Sequence, residues 1–447
     1  MKLLKDPRFR AYLGLAVVAA GVAGLALSGD LLAHAARFGS FYVLAGAGFA
    51  LLATAAKSLP LRVVIVVAVV LRLLFLPAMP SLSDDYHRYV WDGRVQLSGI
   101  NPYKYRPYER PLDGVPYAWR DRVNHRELRT VYPPLSQAVF LGVAATAEAA
   151  GAGVARDHTT GRTGHRVAAE GTLQPRTEVL LFKLVFGAFD LATAAALWWL
   201  AAGALRKRAV VLWLLCPAVI VQTWESAHAE VAAVFFCVLA AALLVRRRDV
   251  WAGVALGVAT AFKVTPLGLL VPALLGGRTS PWRFLAGFAS AFLLPYVPYL
   301  VTGGSFGSLF ESGTRWTGGS FVFTLLAQLF PAGVARWIAL AICLAGAVWM
   351  ARTIRGRETT AEAFSWTLVL LTLCLPVVHS WYWLAPLALG LAAGLWLPLL
   401  IGTVTPLAES LPWAAWLLRA LPGRHAAAGA PATVALSRRR AVGILKR

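Results

Sequence analysis

Apolar runs of roughly twenty residues, nearly free of charge and repeated along almost the whole chain, leave few folds open. They fall near 11–28, 40–56, 61–78, 135–150, 179–202, 209–222, 230–245, 250–275, 284–301, 319–331, 334–352, 363–378, 382–401 and 405–421. Of the 447 residues, 58% are apolar and 14% are charged. A soluble domain carries roughly 25% charged residues, so too little polar surface exists here to cover a water-soluble core. Seventeen Trp and 25 Pro exclude a simple coiled coil. The low content of polar residues excludes disorder. What remains is an all-α polytopic membrane protein, with room for about 11–13 transmembrane helices and one or two folded loops.

The formal net charge is +22. The basic residues sit in short clusters between apolar runs: Lys2, Lys5, Arg8 and Arg10, then Arg206-Lys207-Arg208, Arg246-Arg247-Arg248 and Arg438-Arg439-Arg440. That is the pattern of cytoplasmic anchoring, and it predicts a bilayer partner and no nucleic acid. The basic start runs into a long apolar stretch without a small-residue cleavage site, so the first run reads as a retained helix. Cys216, Cys237, Cys343 and Cys374 all lie within apolar runs, without metal-ligand spacing. They read as small core residues.

The runs divide the chain into N-terminal transmembrane helices (1–78), a polar external loop (79–134), a transmembrane bundle with short external loops (135–421) and a basic cytoplasmic tail (422–447). A second polar stretch, 151–177, has no periodicity. With the N-terminus cytoplasmic, three crossings put 79–134 outside, and 209–245 becomes a hairpin whose apex lies around Trp224–Glu230. Either 135–150 or 179–202 then cannot cross fully, and the short, Ala-rich 135–150 is the better candidate for an interfacial or re-entrant segment. In 250–275, Lys263 and Pro266 interrupt the apolar phase. Two readings stand: the apex of a bent hairpin, or a kinked helix whose lysine reaches for the interface.

The segment Ser83-Asp84-Asp85-Tyr86-His87-Arg88-Tyr89-Val90-Trp91-Asp92-Gly93-Arg94 follows the third run directly. Ser83 can cap a helix whose first turn holds two carboxylates. At helical spacing Asp85, Arg88, Tyr89 and Asp92 share a face, as in an amphipathic helix lying in the interface. Adjacent carboxylates at the mouth of an apolar protein also make a general base, because burial and like charge both raise a carboxyl pKa. The alternative is a capped helix with a solvated polar face. Beyond it, Gly99-Ile100-Asn101-Pro102-Tyr103 forms a turn with an aromatic anchor, and Tyr132-Pro133-Pro134 gives a rigid re-entry into the apolar phase.

Together these strings resemble the first external loop of bacterial GT-C type glycosyltransferases. More narrowly, they are similar to polyprenyl-phosphate-mannose-dependent mannosyltransferases and their relatives. The likeness continues at Cys216-Pro217, Glu225-Ser226-Ala227-His228-Ala229-Glu230, Phe262-Lys263-Val264-Thr265-Pro266 and Ser380-Trp381-Tyr382-Trp383. It covers roughly residues 60–400 in order and spacing. Two positions depart from the usual pattern: Glu230 replaces an Asp, and Cys216 replaces an Asn.

The resemblance implies a GT-C-like bundle and transfer of a hexose, mannose by the narrower likeness. The partners would be a polyprenyl-phosphate sugar donor and a lipid-linked or cell-envelope glycan acceptor. Transfer would proceed with inversion on the external, periplasmic side of the inner or plasma membrane. Asp85 matches the family's acid and is the expected base, with Asp84 as alternate. Lys263, Arg88 and His228 would bind the donor phosphate, with Arg315 and His379 as weaker candidates. Tyr89, Trp91, Asp92, Asn101, Tyr103, Glu225, Glu230, His379 and Tyr382 are expected to contact substrate. For Trp91, Tyr103, Trp381 and Tyr382 an interfacial aromatic belt is the stronger alternative. Adjacent carboxylates can hold Mg²⁺ or Mn²⁺. A monophosphate donor does not require a metal, and neither metal nor cofactor is expected.

Lys183 and Asp190, seven residues apart within one apolar run, read as structural or relay residues. With Lys263 they also support an alternative from another class, a transporter or flippase of a lipid-linked sugar. Such a protein should show internal symmetry and a midplane site. The unusual residues crowd instead into 79–134, 224–230, 263 and 379–383, which favours an enzyme over a transporter or an inert membrane subunit.

Overall fold

In a computed structural model, residues 5–151, 175–308 and 317–410 are described. Arg315, most of the polar stretch 151–177, the apolar residues after 410 and the tail 422–447 lie outside the described residues. The chain forms helices α1 (Pro7–Leu27), α2 (Ala35–Ala55), α3 (Leu61–Leu73), α4 (Asp85–Leu97), α5 (Pro134–Ala149), α6 (Arg176–Leu200) and α7 (Gly203–Leu215). A short α8 (Pro217–Ile220) runs into a π-helical turn, Val221–Glu225. Then come α9 (Glu230–Val245), α10 (Asp249–Phe262), α11 (Leu270–Leu275), α12 (Pro281–Leu293) and α13 (Val297–Val301). The last helices are α14 (Phe321–Leu329), α15 (Ala332–Thr353), α16 (Thr360–Cys374), α17 (Leu384–Ala393) and α18 (Leu397–Ser410). Among the described residues no strand forms, and Gly318 with Val377 makes an isolated bridge. The protein is an all-α polytopic membrane protein.

Among the described residues, five stretches are long and apolar enough to cross a membrane: Pro7–Leu27, Ala35–Ser58, Arg176–Leu200, Pro281–Val301 and Ala332–Thr353. Several remaining apolar runs fold as shorter helices, and proline accounts for the breaks. Pro217 separates α7 from α8, and Pro266 lies in the 3₁₀ turn Thr265–Leu269 that follows α10. A proline within a helix removes one backbone hydrogen bond and crowds the carbonyl four residues earlier. Near these breaks the Leu214 carbonyl accepts from Arg72 and the Phe262 carbonyl from Ser136, so irregular backbone is satisfied within the bundle.

The interruption at Lys263 is a hairpin apex. The Ser280 amide donates to the Asp249 carboxylate at 2.8 Å, so both ends of 249–280 meet. Asp249 is held there by Arg357, at 2.6 Å. Likewise, α7 begins and α9 ends beside the C-terminus of α6, where Arg206 and Arg246 bond to the carbonyls of Ala201 and Trp199. Their common apex is the π-helical turn and the Ser226–Ala229 loop.

Lys183 and Asp190 are built into the scaffold. The Lys183 ammonium donates to the carbonyls of Phe75 and Ala78, each at 2.7 Å, tying α6 to the chain just after α3. Asp190 is fully buried and accepts from Arg72 Nε (2.7 Å), Trp213 Nε1 (2.9 Å) and Trp224 Nε1 (2.9 Å). Both positions are thus used in joining α3, α6, α7 and the π turn, which answers the idea that they line a transport path.

α4 departs from the amphipathic picture. Every residue from Tyr86 to Val95 is buried. One side packs on α5, where Gly93 sits so close to the Phe140 carbonyl that any side chain would collide with it. The other side lies under the loop 103–130: Trp91 packs on Tyr117, and Arg120 lies over the Trp91 ring. The polar residues of α4 are matched by partners inside the protein and do not form a solvated face.

The buried Arg72–Asp190 pair yields a direct test. Asp190→Leu strands a guanidinium in the bundle and should destabilise the protein by about 3–5 kcal/mol, because an unpaired buried charge is the costly state. Adding Arg72→Met should recover a large part of that loss. Thermal unfolding of the two variants in detergent measures both steps.

Candidate active site

The approach to Asp84 is set by a carboxylate from a distant part of the chain. At the end of the π turn, Glu225 Oε1 accepts from the Ser81 amide (2.6 Å), the Ser81 hydroxyl (2.7 Å) and the Leu82 amide (3.2 Å). Its other oxygen accepts from Ser226 (2.6 Å). Ser83 Oγ then accepts from the Asp85 amide at 3.3 Å, and α4 begins. The acid pair therefore stands at a helix N-terminus, where the helix dipole favours negative charge.

Asn124 bridges the pair. Its side-chain amide donates to Asp85 Oδ1 at 2.7 Å and lies 3.2 Å from Asp84 Oδ1. The second oxygen of Asp85 lies 3.6 Å from His228 Nδ1. His228 is placed by a tight turn in which Ala227 adopts a left-handed φ of 54°, and its amide donates to the Gln222 carbonyl at 3.1 Å. Its ring stacks on Trp381, with centroids 3.7 Å apart. His379 stacks on Trp381 as well, at 4.3 Å and nearly parallel. Gln222 joins the two loops by donating to Ser380 at 2.7 Å.

Lys263, at its hairpin apex, completes the cluster. Its ammonium lies 3.0 Å from Glu230 Oε2 and 4.2 Å from the centre of the Tyr382 ring. Ser136, in the first turn of α5, donates to the Phe262 carbonyl at 2.9 Å and fixes the backbone where the apex begins. Behind Trp381, Gly319 at φ 74° lets the chain run against the Val378 carbonyl, and Gly318 exchanges hydrogen bonds of 2.8 and 2.9 Å with Pro376 and Val378.

Burial, reinforced by the negative charge of Asp85, raises the Asp84 carboxyl to about 6, while Asn124 and His379 act in the opposite sense. An acid titrating there can exchange protons near neutrality. On the same helix, burial and the charge of Arg122 push His87 down to about 3, so it is a neutral ring hydrogen-bonded to Tyr117 at 2.7 Å.

Asp84, Asp85, His228, Glu230, Lys263, His379 and Tyr382 thus come together, from the first loop, the loop between the π turn and α9 with the first residue of α9, the α10 apex and the segment before α17. The other expected contacts have scaffold partners. Arg88 donates to Asp92 at 3.0 Å and to the carbonyls of Asn124, His125 and Leu128, so its guanidinium braces the loop carrying Asn124. Asp92 also accepts from Gln137 at 2.8 Å. Asn101 donates to the Tyr299 carbonyl and to Thr302, and the Tyr103 hydroxyl donates to the Tyr132 carbonyl at 2.6 Å. Tyr89 is stacked on Phe140. Trp91, Tyr103 and Tyr89 are buried at 0–1% exposure, which places them neither in an interfacial belt nor on an open sugar-stacking surface. Glu225 acts as a clamp. Asn124 and Trp381 are the members that local pattern under-rated. Asn124, with His125 beside it, reads equally well as ordinary loop punctuation before the Tyr132-Pro133-Pro134 re-entry, and Trp381 looks like any aromatic near a membrane surface.

The profile of glycosyltransferase family 87 matches residues 131–376. The match spans Glu225, His228, Glu230 and Lys263 and ends just before His379. It begins after Asp84, Asp85 and Asn124. A search of curated proteins finds none that matches. Since the matched stretch is more than half of the 447 residues, this membrane protein belongs to glycosyltransferase family 87.

Proposed function

We propose that the cluster transfers a hexose, mannose by the resemblance of the first loop, from a polyprenyl-phosphate donor to a hydroxyl of a lipid-linked or cell-envelope acceptor. The supporting observation is the meeting of an acid pair, a histidine and a lysine from three separated segments of the chain. The acceptor hydroxyl gives its proton to Asp85 as its oxygen bonds to the anomeric carbon. The bond from that carbon to the phosphate oxygen breaks, and the polyprenyl phosphate leaves with the electron pair. A single displacement of this kind inverts the anomeric centre. The reaction is assigned to the external face of the membrane, following the placement of the 79–134 loop by charge.

Each neighbour has a part in this scheme. Asn124 holds one oxygen of Asp85, so the other, beside His228, is left to receive the proton. Ionised Asp84, held by the same Asn124 amide, keeps negative charge beside the proton-accepting oxygen of Asp85. Lys263 presents an ammonium to the leaving phosphate, with Glu230 and Tyr382 fixing its direction; a preorganised cation of this kind acts where charge develops. The face of Trp381 is covered by His228 and His379, so its role is to hold the two imidazoles in register.

Three outcomes test the scheme. Asp85→Asn should lower sugar transfer about 10²–10⁴-fold, the usual weight of a general base, with membrane insertion intact. A panel of radiolabelled polyprenyl-phosphate sugars in membranes measures this and reads the sugar at the same time; full activity in the variant removes Asp85 from the chemistry. Lys263→Ala should raise the donor KM roughly tenfold or more, the weight of one charge-assisted hydrogen bond. An unchanged donor dependence would show that Lys263 only neutralises Glu230. The pH profile supplies the third. Asp84 takes up its proton as pH falls through about 6, and transfer should decline over that range. Asp84→Asn should remove this acid limb, and a limb retained at the same pH would assign it to another group.

A further inference from the structure

At the opposite end of α9 and α10 from Lys263, the chain forms an open notch of about 500 Å³ lined by Trp199, Leu243, Arg246, Arg248 and Trp251. Three helix ends build it: the last turn of α6, the last turn of α9 and the first turn of α10. The rise of α9 alone separates it from Glu230 by about 24 Å, close to the thickness of a bilayer's hydrocarbon. The notch therefore belongs to the other membrane surface.

Its charge is not balanced by the protein. Among the described residues, none of Arg206, Lys207, Arg208, Arg246, Arg247 and Arg248 pairs with a carboxylate. Asp249, in the first turn of α10, is already held by Arg357 and the Ser280 amide. The basic groups use helix-end carbonyls instead: Arg246 bonds to Ala242 and Trp199, Arg206 to Ala201, and Lys207 to Lys57. Arg206 lies close enough for its charge to act against that of Arg246. Burial and this neighbouring charge both weigh on the Arg246 cation, and an anion at Arg246 in the notch would offset them.

The lining also specifies what carries the anion. Arg246 lies over the Trp199 ring at 4.1 Å, and Arg206 over Trp198 at 5.5 Å. Trp251 is 63% exposed and Trp199 38%. Tryptophans beside arginines at helix ends sit at the headgroup level of a bilayer, with apolar helix faces leading away from them. We propose that this notch binds the headgroup phosphate of an anionic phospholipid between Arg246 and Arg248, with Trp199 and Trp251 against the glycerol and first methylenes. Charge complementarity favours this occupant, and the apolar wall at Leu243 favours a lipid over a free ion.

The test uses the full chain in nanodiscs of phosphatidylcholine with phosphatidylglycerol, released for native mass spectrometry. Wild type should retain phosphatidylglycerol in preference to phosphatidylcholine. Each arginine near a membrane surface is worth about fivefold in anionic-lipid affinity, so Arg246→Gln with Arg248→Gln should cut that preference roughly 25-fold. Arg352→Gln, which removes a charge from the end of α15, should leave it in place. Thermal unfolding and sugar transfer in the double variant verify that it is folded. Equal retention in wild type and double variant overturns the proposal. So does displacement of the bound lipid by millimolar inorganic phosphate, which would mark a site for a soluble anion.

Discussion

The carboxylate of Glu225 takes three hydrogen bonds from Ser81 and Leu82 and one from Ser226, and the placement of Asp84 and Asp85 depends on it. It is buried at 2% exposure, where an ionised group is tolerated only if its oxygens are satisfied. The same residue ends the π-helical turn whose next residues position His228. One side chain thereby sets the distance between the acid pair and the imidazole. The turn is itself anchored from behind by Trp224, whose indole donates to Asp190, which in turn is paired with Arg72. A connected set of buried polar groups runs from α3 through α6 to the site. Such a set is stiff, because every member loses a partner if any one moves.

Much of this was legible in the sequence wherever the signal is local. The run lengths marked an all-helical membrane protein. The adjacent carboxylates after the third run marked the start of α4, and lysine and proline inside an apolar stretch marked a break at residue 263. Each of these follows from what a few neighbouring residues can do in hydrocarbon. The choice between a hairpin apex and a kink at Lys263 was not legible, because it turns on Asp249 meeting Ser280 across 31 positions. The scaffold contacts of Arg88, Asp92, Asn101 and Tyr103 were not legible for a related reason. Conspicuous polar residues in a loop look functional, and only the folded loop reveals that each has a partner within it.

That loop has its own logic. A long polar segment over a membrane bundle has no hydrophobic phase to order it, so its rigidity must come from specific contacts. Arg88 gathers three backbone carbonyls of 124–128, Gln137 links Asp92 to Thr130, and Asn101 pins the chain to the Tyr299–Thr302 turn. These bonds hold Asn124 above the acid pair. If Asp85 is the general base proposed above, its orientation must be fixed, and scattered contacts of this kind supply that from a distance.

The ion pair of Lys263 with Glu230 poses an energetic question that bears on chemistry. A lysine fully neutralised by a carboxylate offers a phosphate little attraction, and one wholly unpaired in apolar surroundings would tend to lose its proton. The arrangement here lies between these limits. Glu230 contacts the ammonium at 3.0 Å, the Tyr382 ring adds the negative face of its π system, and the side chain keeps 23% of its exposure. An ammonium has three donors, so a phosphate oxygen can join the existing carboxylate without displacing it. On the proposed mechanism, Glu230 holds Lys263 in place in the empty site and shares it in the filled one, which gives a reason for an acidic partner beside a cation that would meet an anionic leaving group.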